Sequence, residues 1–347
     1  MSNLFLFPNG YFNSSKIQLH YWLKDDLHTM DALIQNKSEL EFIRLVFEIG
    51  KAFDCEFSIE TEALAEGGIR RWFKIALKNE NKTATVTIGL ITSLVIGIIA
   101  SPITVSIAKT TEIIIEKLFE DESDKKEQEL NIEGKELDNE GKKLDNEWKR
   151  LRNEKEKKEL NNSLIKIDSS YKIKKHRSNF YEELEREKRV EQISFVLEDN
   201  YKTPISEEVY VTKENFKQYI LASNEIDTDP IEDAVIDIIS PVLKKGDYKW
   251  KGIYNGNIIS FNMKSNEFKS LVQTGKIEFK NGSAINCVLD VKKELDNEGN
   301  EKIIAYNILS VNQYFENDKP IETPEGKKQR QKREANENQF DMFDDIV

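Results

Sequence analysis

From Thr83 to Ala108 the chain runs for 26 residues without a formal charge, TATVTIGLITSLVIGIIASPITVSIA. The 347-residue chain around it is 33% charged, with a mean hydropathy of -0.60, so nothing else in the sequence resembles this stretch. As a helix it would be about 39 Å long at 1.5 Å per residue, more than the roughly 30 Å hydrocarbon core of a bilayer requires. The length rule therefore predicts a transmembrane or re-entrant helix over 83–108, with a buried core helix as the alternative. Arg70, Arg71, Trp72, Phe73, Lys74 and Lys78 precede it, a basic and aromatic collar of the kind that sits at lipid headgroups. Gly89, Ser93, Gly97 and Ser101 recur at every fourth position. Small residues at that spacing let two helix backbones approach closely, so they are the candidate oligomerisation stripe of a homo-oligomer. Pro102 is expected to kink the last turn or mark a re-entrant bend.

Ahead of this stretch, residues 1–80 read as a small β-α-β domain of an α+β fold. KIQLHYWLK is a strand, apolar residues from Met30 to Phe53 recur at helical spacing, and CEFSIETEAL alternates as a half-buried strand. His20, Asp25, Asp26, His28, Asp31, Glu60, Glu62 and Glu66 are the titratable groups around it. Their spacing matches no metal motif, so they read as turn caps and a solvent face. Cys55 and Cys287 are too far apart in sequence for a zinc spacing or a disulfide framework. No metal site and no cofactor is expected.

Residues 110–190 read as a charged helical region. Leu130, Leu137, Leu144 and Leu151 keep heptad register, but Gly134 and Gly141 occupy the complementary seam, which predicts a weak coiled coil. Residues 193–316 read as one β-rich module, with turns at Asn255-Gly256 and Asn281-Gly282 and a helix opened by Ser265. Within it, five strands with a helix between the third and fourth give a barrel-like module. That order resembles the oligonucleotide/oligosaccharide-binding (OB) barrel, with an SH3-like barrel as a competitor. In that module Tyr248, Trp250, Tyr254 and Phe261 are the ligand or nucleic-acid candidates, with Lys249, Lys251 and Lys264 near phosphate. Alternation assigns at least two of these aromatics to the core. A net charge of -12 disfavours unaided nucleic-acid binding.

Residues 317–347 have the composition of a disordered tail. It carries Gln339, Phe340, Asp341, Met342 and Phe343, which resemble the short peptide with which many bacterial proteins dock on the replication sliding clamp. Phe340 stands where leucine is usual.

No nucleophile-base set, phosphate loop or dinucleotide fingerprint occurs, so an enzyme is not the first reading. The layout resembles that of bacterial stress or anti-phage membrane effectors. It implies an oligomeric sensor/effector anchored in the inner (cytoplasmic) membrane, with the lipid bilayer and a second copy as partners. The alternatives are a DNA-replication accessory factor and a passive membrane scaffold.

Overall fold

The computed structural model describes residues 16–25, 28–62, 69–77, 82–105, 158–199, 201–244, 246–280, 282–316 and 319–344, with the backbone alone at 77, 82–87 and 336–344. The chain forms two compact units, Met1–Ala222 with Asn297–Asn300, and Ser223–Asp296 with Glu301–Val347.

The first unit is an α+β layer structure. Its strands are β1 (Lys16–Leu23), β2 (Phe57–Thr61), β3 (Ile69–Leu77), β4 (Val190–Glu198) and β5 (Val209–Thr212), paired antiparallel in the order β2-β3-β1-β4-β5. The β-α-β start is as the alternation suggests, with α1 spanning Ala32–Ala52. Asp31, rather than Asp25 or Asp26, caps that helix by accepting from Leu33 N at 2.7 Å and Ile34 N at 3.2 Å. The sheet, however, does not end near residue 80. Lys16 lies opposite Glu198 in the β1/β4 register, so the strand expected to open the C-terminal module belongs here instead.

One face of this sheet is apolar. Ile17, Leu19 and Tyr21 of β1, Phe73 and Ile75 of β3, and Phe195 and Leu197 of β4 are buried in one core. Phe42 of α1 packs on it at 4.8 Å from Phe73, and Phe180 of α3 (Tyr171–Arg186) lies 6.2 Å from Phe195. These aromatic pairs are worth about 0.5–1.5 kcal/mol each beyond their burial. A helical piece at 158–169 adds Leu164 and Ile167 to the same core.

The uncharged stretch enters this core as α2 (Lys82–Ile99). Ile91, Leu94, Val95 and Ile99 are fully buried, each contributing up to about 1.5–3 kcal/mol. Among the described residues no helix is long and apolar enough to cross a membrane. The membrane-spanning expectation is thus corrected in favour of the buried core helix: α2 contacts α1, β3 and β4, and a helix buried among other elements need carry no charged face. The supposed interface collar is strand β3. Pro102 ends the helix rather than kinking it, because proline disfavours helical backbone in the residue before it.

The small-residue stripe is likewise buried. Ser93 and Ser101 donate to the carbonyls of Gly89 (2.9 Å) and Gly97 (2.6 Å), so in this fold it packs inward instead of presenting itself to a second copy. Leu130, Leu137, Leu144 and Leu151, the heptad positions, lie outside the described residues.

The end of α2 is held by side chains from two other elements. Arg177 of α3 donates to the carbonyls of Ile98 (3.3 Å) and Ser101 (3.2 Å). Tyr181 donates to Ile99 at 2.7 Å, and Tyr219 donates to Ala100 at 3.3 Å from the 3-10 helix Lys213–Tyr219. A cation is well placed there, since the last carbonyls of a helix carry its negative end. Burial lowers the Arg177 pKa to about 10, which leaves it charged at neutral pH.

The second unit contains a closed five-stranded mixed barrel. β7 (Ile231–Ser240), β8 (Trp250–Tyr254), β9 (Asn257–Met263), β11 (Glu301–Glu316) and β10 (Ala284–Leu295) neighbour one another in that order, and β10 returns to β7. β9 and β11 are parallel and the other pairs antiparallel. β6 (Glu225–Ile226) and β12 (Lys319–Glu322) extend the sheet. The β8/β9 turn is the Asn255-Gly256 hairpin, with φ of 50° and 76°, as the left-handed turn type requires. α4 (Asn266–Gln273) starts at Ser265, whose hydroxyl accepts from Phe268 N at 3.0 Å.

The expected disordered tail is instead ordered as β12 and then α5 (Pro324–Asp344). Glu325 accepts from Val311 N at 3.0 Å and from the Ser265 hydroxyl at 2.7 Å. Gly326 lies so close to β11 that a Cβ there would sit 2.0 Å from the Asn312 carbonyl oxygen. Composition missed this docking because it rests on a few specific contacts rather than on an apolar helix face.

Candidate functional sites on two sheet faces

The barrel sorts the four candidate aromatics. Trp250 (1% exposed) and Phe261 (0%) fill the core, and Tyr254 packs half-buried against it. Only Tyr248 is open, at 63%. The outer surface of β7, β8 and β9 instead exposes aliphatic side chains. Val235 and Ile239 are about half exposed and Ile258 is 74% exposed, with Ile258 opposite Ile253 in register. Lys249, Lys251 and Lys264 are exposed nearby in sequence. Gln339, Phe340, Asp341, Met342 and Phe343 fall on helical backbone at the end of α5, and their side chains lie outside the described residues.

The second face belongs to the first unit, on the side of the sheet opposite α1 and α3. There the alternation of β1 brings up Lys16, Gln18 and His20, all under 9% exposed. Glu198 is the hub of one group. Its carboxylate accepts from Gln18 Nε2 at 2.6 Å and Trp72 Nε1 at 2.8 Å. Burial raises its pKa, against the lowering effect of Trp72, Lys202 and Lys16. Lys16 pairs with Glu62 at 2.5 Å, Lys202 reaches the same carboxylate at 3.3 Å, and Lys202 Nζ stands 4.4 Å above the Trp72 ring. The Lys16 hydrogen bond holds the Glu62 carboxyl below its usual pKa.

Glu208 is the hub of the other. It accepts from the Ser194 hydroxyl at 2.5 Å and from the Tyr210 hydroxyl at 2.6 Å, while Ser194 accepts from Trp22 Nε1 at 2.8 Å. The His20 ring lies 4.1 Å from that of Trp22. Burial, and next the neighbouring Arg70, push the His20 pKa down to about 4, so its imidazole is neutral at pH 7. Of these residues only His20 and Glu62 were named as chemistry candidates from sequence. The signal for Arg70 and Trp72 was the period-two pattern of β3, where Arg70, Trp72 and Lys74 alternate with Arg71, Phe73 and Ile75.

The remaining titratable candidates do not converge. Asp25 is bound by Arg189 at 2.6 Å, Glu60 lies 3.9 Å from Lys74, and Asp26 and Glu66 lie outside the described residues. Among the described residues no group of three or more His, Cys, Asp or Glu forms a metal site. A cleft of about 530 Å³ at the β4/β5 edge is lined by Lys24, Lys213 and Lys217 together with Glu185, Glu191 and Glu214, so its charges balance. No protein-family model, curated protein or solved structure matches the chain.

Proposed function

We propose that the protein is a non-catalytic recognition protein whose C-terminal barrel is OB-like and takes a protein partner on the outer face of β7, β8 and β9. The observation that carries this reading is the exposure of Val235, Ile239 and Ile258 on that face while Trp250 and Phe261 are committed to the core. Exposed aliphatic side chains grouped on one face suit a protein surface, whereas single-stranded nucleic acid needs aromatic platforms and a positive groove. The chain's charge of -12 favours the same choice. The sensor role expected from sequence is retained here, resting on the barrel.

A second reading, nucleic-acid binding, draws on exposed Tyr248 with Lys249, Lys251 and Lys264. A photo-crosslinking amino acid at position 258 in the full chain separates the two. A discrete protein adduct, lost with Val235→Asp, supports the first. Crosslinks to nucleic acid, with labelled oligothymidylate binding that is lost in Tyr248→Ala and Lys251→Glu, would replace it with the second.

A further inference from the structure

Pairing across the first sheet places Arg70, His20, Ser194 and Tyr210 in one row over β3, β1, β4 and β5. Directly paired positions present their side chains on the same face. The acid in this row is already engaged, because Glu208 binds the hydroxyls of Ser194 and Tyr210. The bases are not. The Arg70 side chain makes no hydrogen bond or ion pair among the described residues, and its Nε is buried without a partner. The His20 ring, in a residue 6% exposed, contacts Trp22 and makes no hydrogen bond among the described residues.

A buried guanidinium N–H left unpaired costs on the order of 1–3 kcal/mol or more. The opposite face shows what the same residue type does when it is paired, since Arg71 donates from Nε to Glu39 at 3.0 Å. A guanidinium edge beside an imidazole N–H is a donor set for an oxyanion, and Trp22 and Trp72 lie two residues along their strands from His20 and Arg70.

We propose that Arg70 and His20 form a binding subsite for an oxyanion, the phosphoryl or carboxylate group of a small ligand. The guanidinium edge donates to one oxygen and the imidazole N–H to another, and the tryptophan rings flank the group. The charged and titratable groups facing His20 are Arg70, Glu208 and His28. A bound anion adds negative charge to this set and raises the His20 pKa. This subsite is independent of the barrel reading.

The test uses the full chain with isotope-labelled histidine, whose three residues give separable signals. Inorganic phosphate and acetate are titrated separately at constant ionic strength with chloride as the balancing ion. The His20 signal should shift saturably and its titration midpoint should rise, with His176, in α3 on the other face of the sheet, unmoved. Arg70→Gln should weaken the response about tenfold or more, as expected for loss of a charge-assisted pair, and Arg71→Gln should leave it unchanged. Response to phosphate alone assigns a phosphoryl group; response to both, or to acetate alone, assigns a carboxylate-compatible site. Absence of a saturable shift with either anion, or a wild-type response in Arg70→Gln, overturns the proposal. If Arg70→Gln does not fold, Arg70→Lys decides: weaker binding supports the forked contact, and unchanged binding overturns it.

Discussion

The phenolic hydroxyl of Tyr181 donates a 2.7 Å hydrogen bond to the carbonyl oxygen of Ile99, the last residue of α2. Both residues are fully buried, so no water can replace this bond. Tyr181→Phe keeps the ring and strands the carbonyl, and is expected to cost about 1–3 kcal/mol. Arg177→Ala should cost more, since it removes two hydrogen bonds to the end of α2 and opens a void. Urea unfolding followed by tryptophan fluorescence measures both. Equal and negligible effects would mean that these side chains do not hold the helix end.

His20 predicts a pH dependence of known sign. Its folded pKa of about 4 lies below the ordinary histidine value of 6.5, so the unfolded chain binds the proton more readily. The stability associated with the neutral ring is fully present above about pH 6.5 and declines as pH falls through the window to about 4. His20→Gln should flatten that part of the profile, read from urea midpoints at several pH values. A profile unchanged by the substitution contradicts the assignment.

Gly326 should not tolerate a side chain. Because a Cβ would meet the Asn312 carbonyl at 2.0 Å, Gly326→Ala is expected to displace the start of α5 from β11. Limited trypsin digestion should then cut after Lys327 and Arg330 faster than in the parent chain. Unchanged cleavage would show that the tail is not docked through this contact.

An exposed and a buried aromatic of the second unit should behave oppositely. Trp250→Ala is expected to destabilise the barrel by about 3–5 kcal/mol, and Tyr248→Ala by less than about 0.5 kcal/mol. Thermal melting of the two variants distinguishes a core ring from a surface ring.

Local patterns in the sequence were legible because local physics produces them. The β-α-β start, the Ser265 cap, the Asn255-Gly256 hairpin and the five barrel strands each follow from alternation or turn chemistry within a few residues. The union of β1 with β4 was not, since Lys16 and Glu198 are neighbours only through a long-range pairing that no short window contains. For the same reason Trp72 read as part of a lipid collar, although its indole N–H donates to Glu198. Thr83 to Ala108 misled for another reason: an all-apolar helix suits a bilayer and a protein core equally. Its partners, Arg177, Tyr181 and Tyr219, lie far along the chain.

The fold of the first unit turns on the placement of α2 in its core. Hydrogen exchange of the amides from Ile88 to Ile99, measured without lipid or detergent, tests that placement. Strong protection is expected there, lost in one cooperative step together with β1 and α3 as urea is raised. Rapid exchange in water, with protection gained only on adding bilayers, would contradict it.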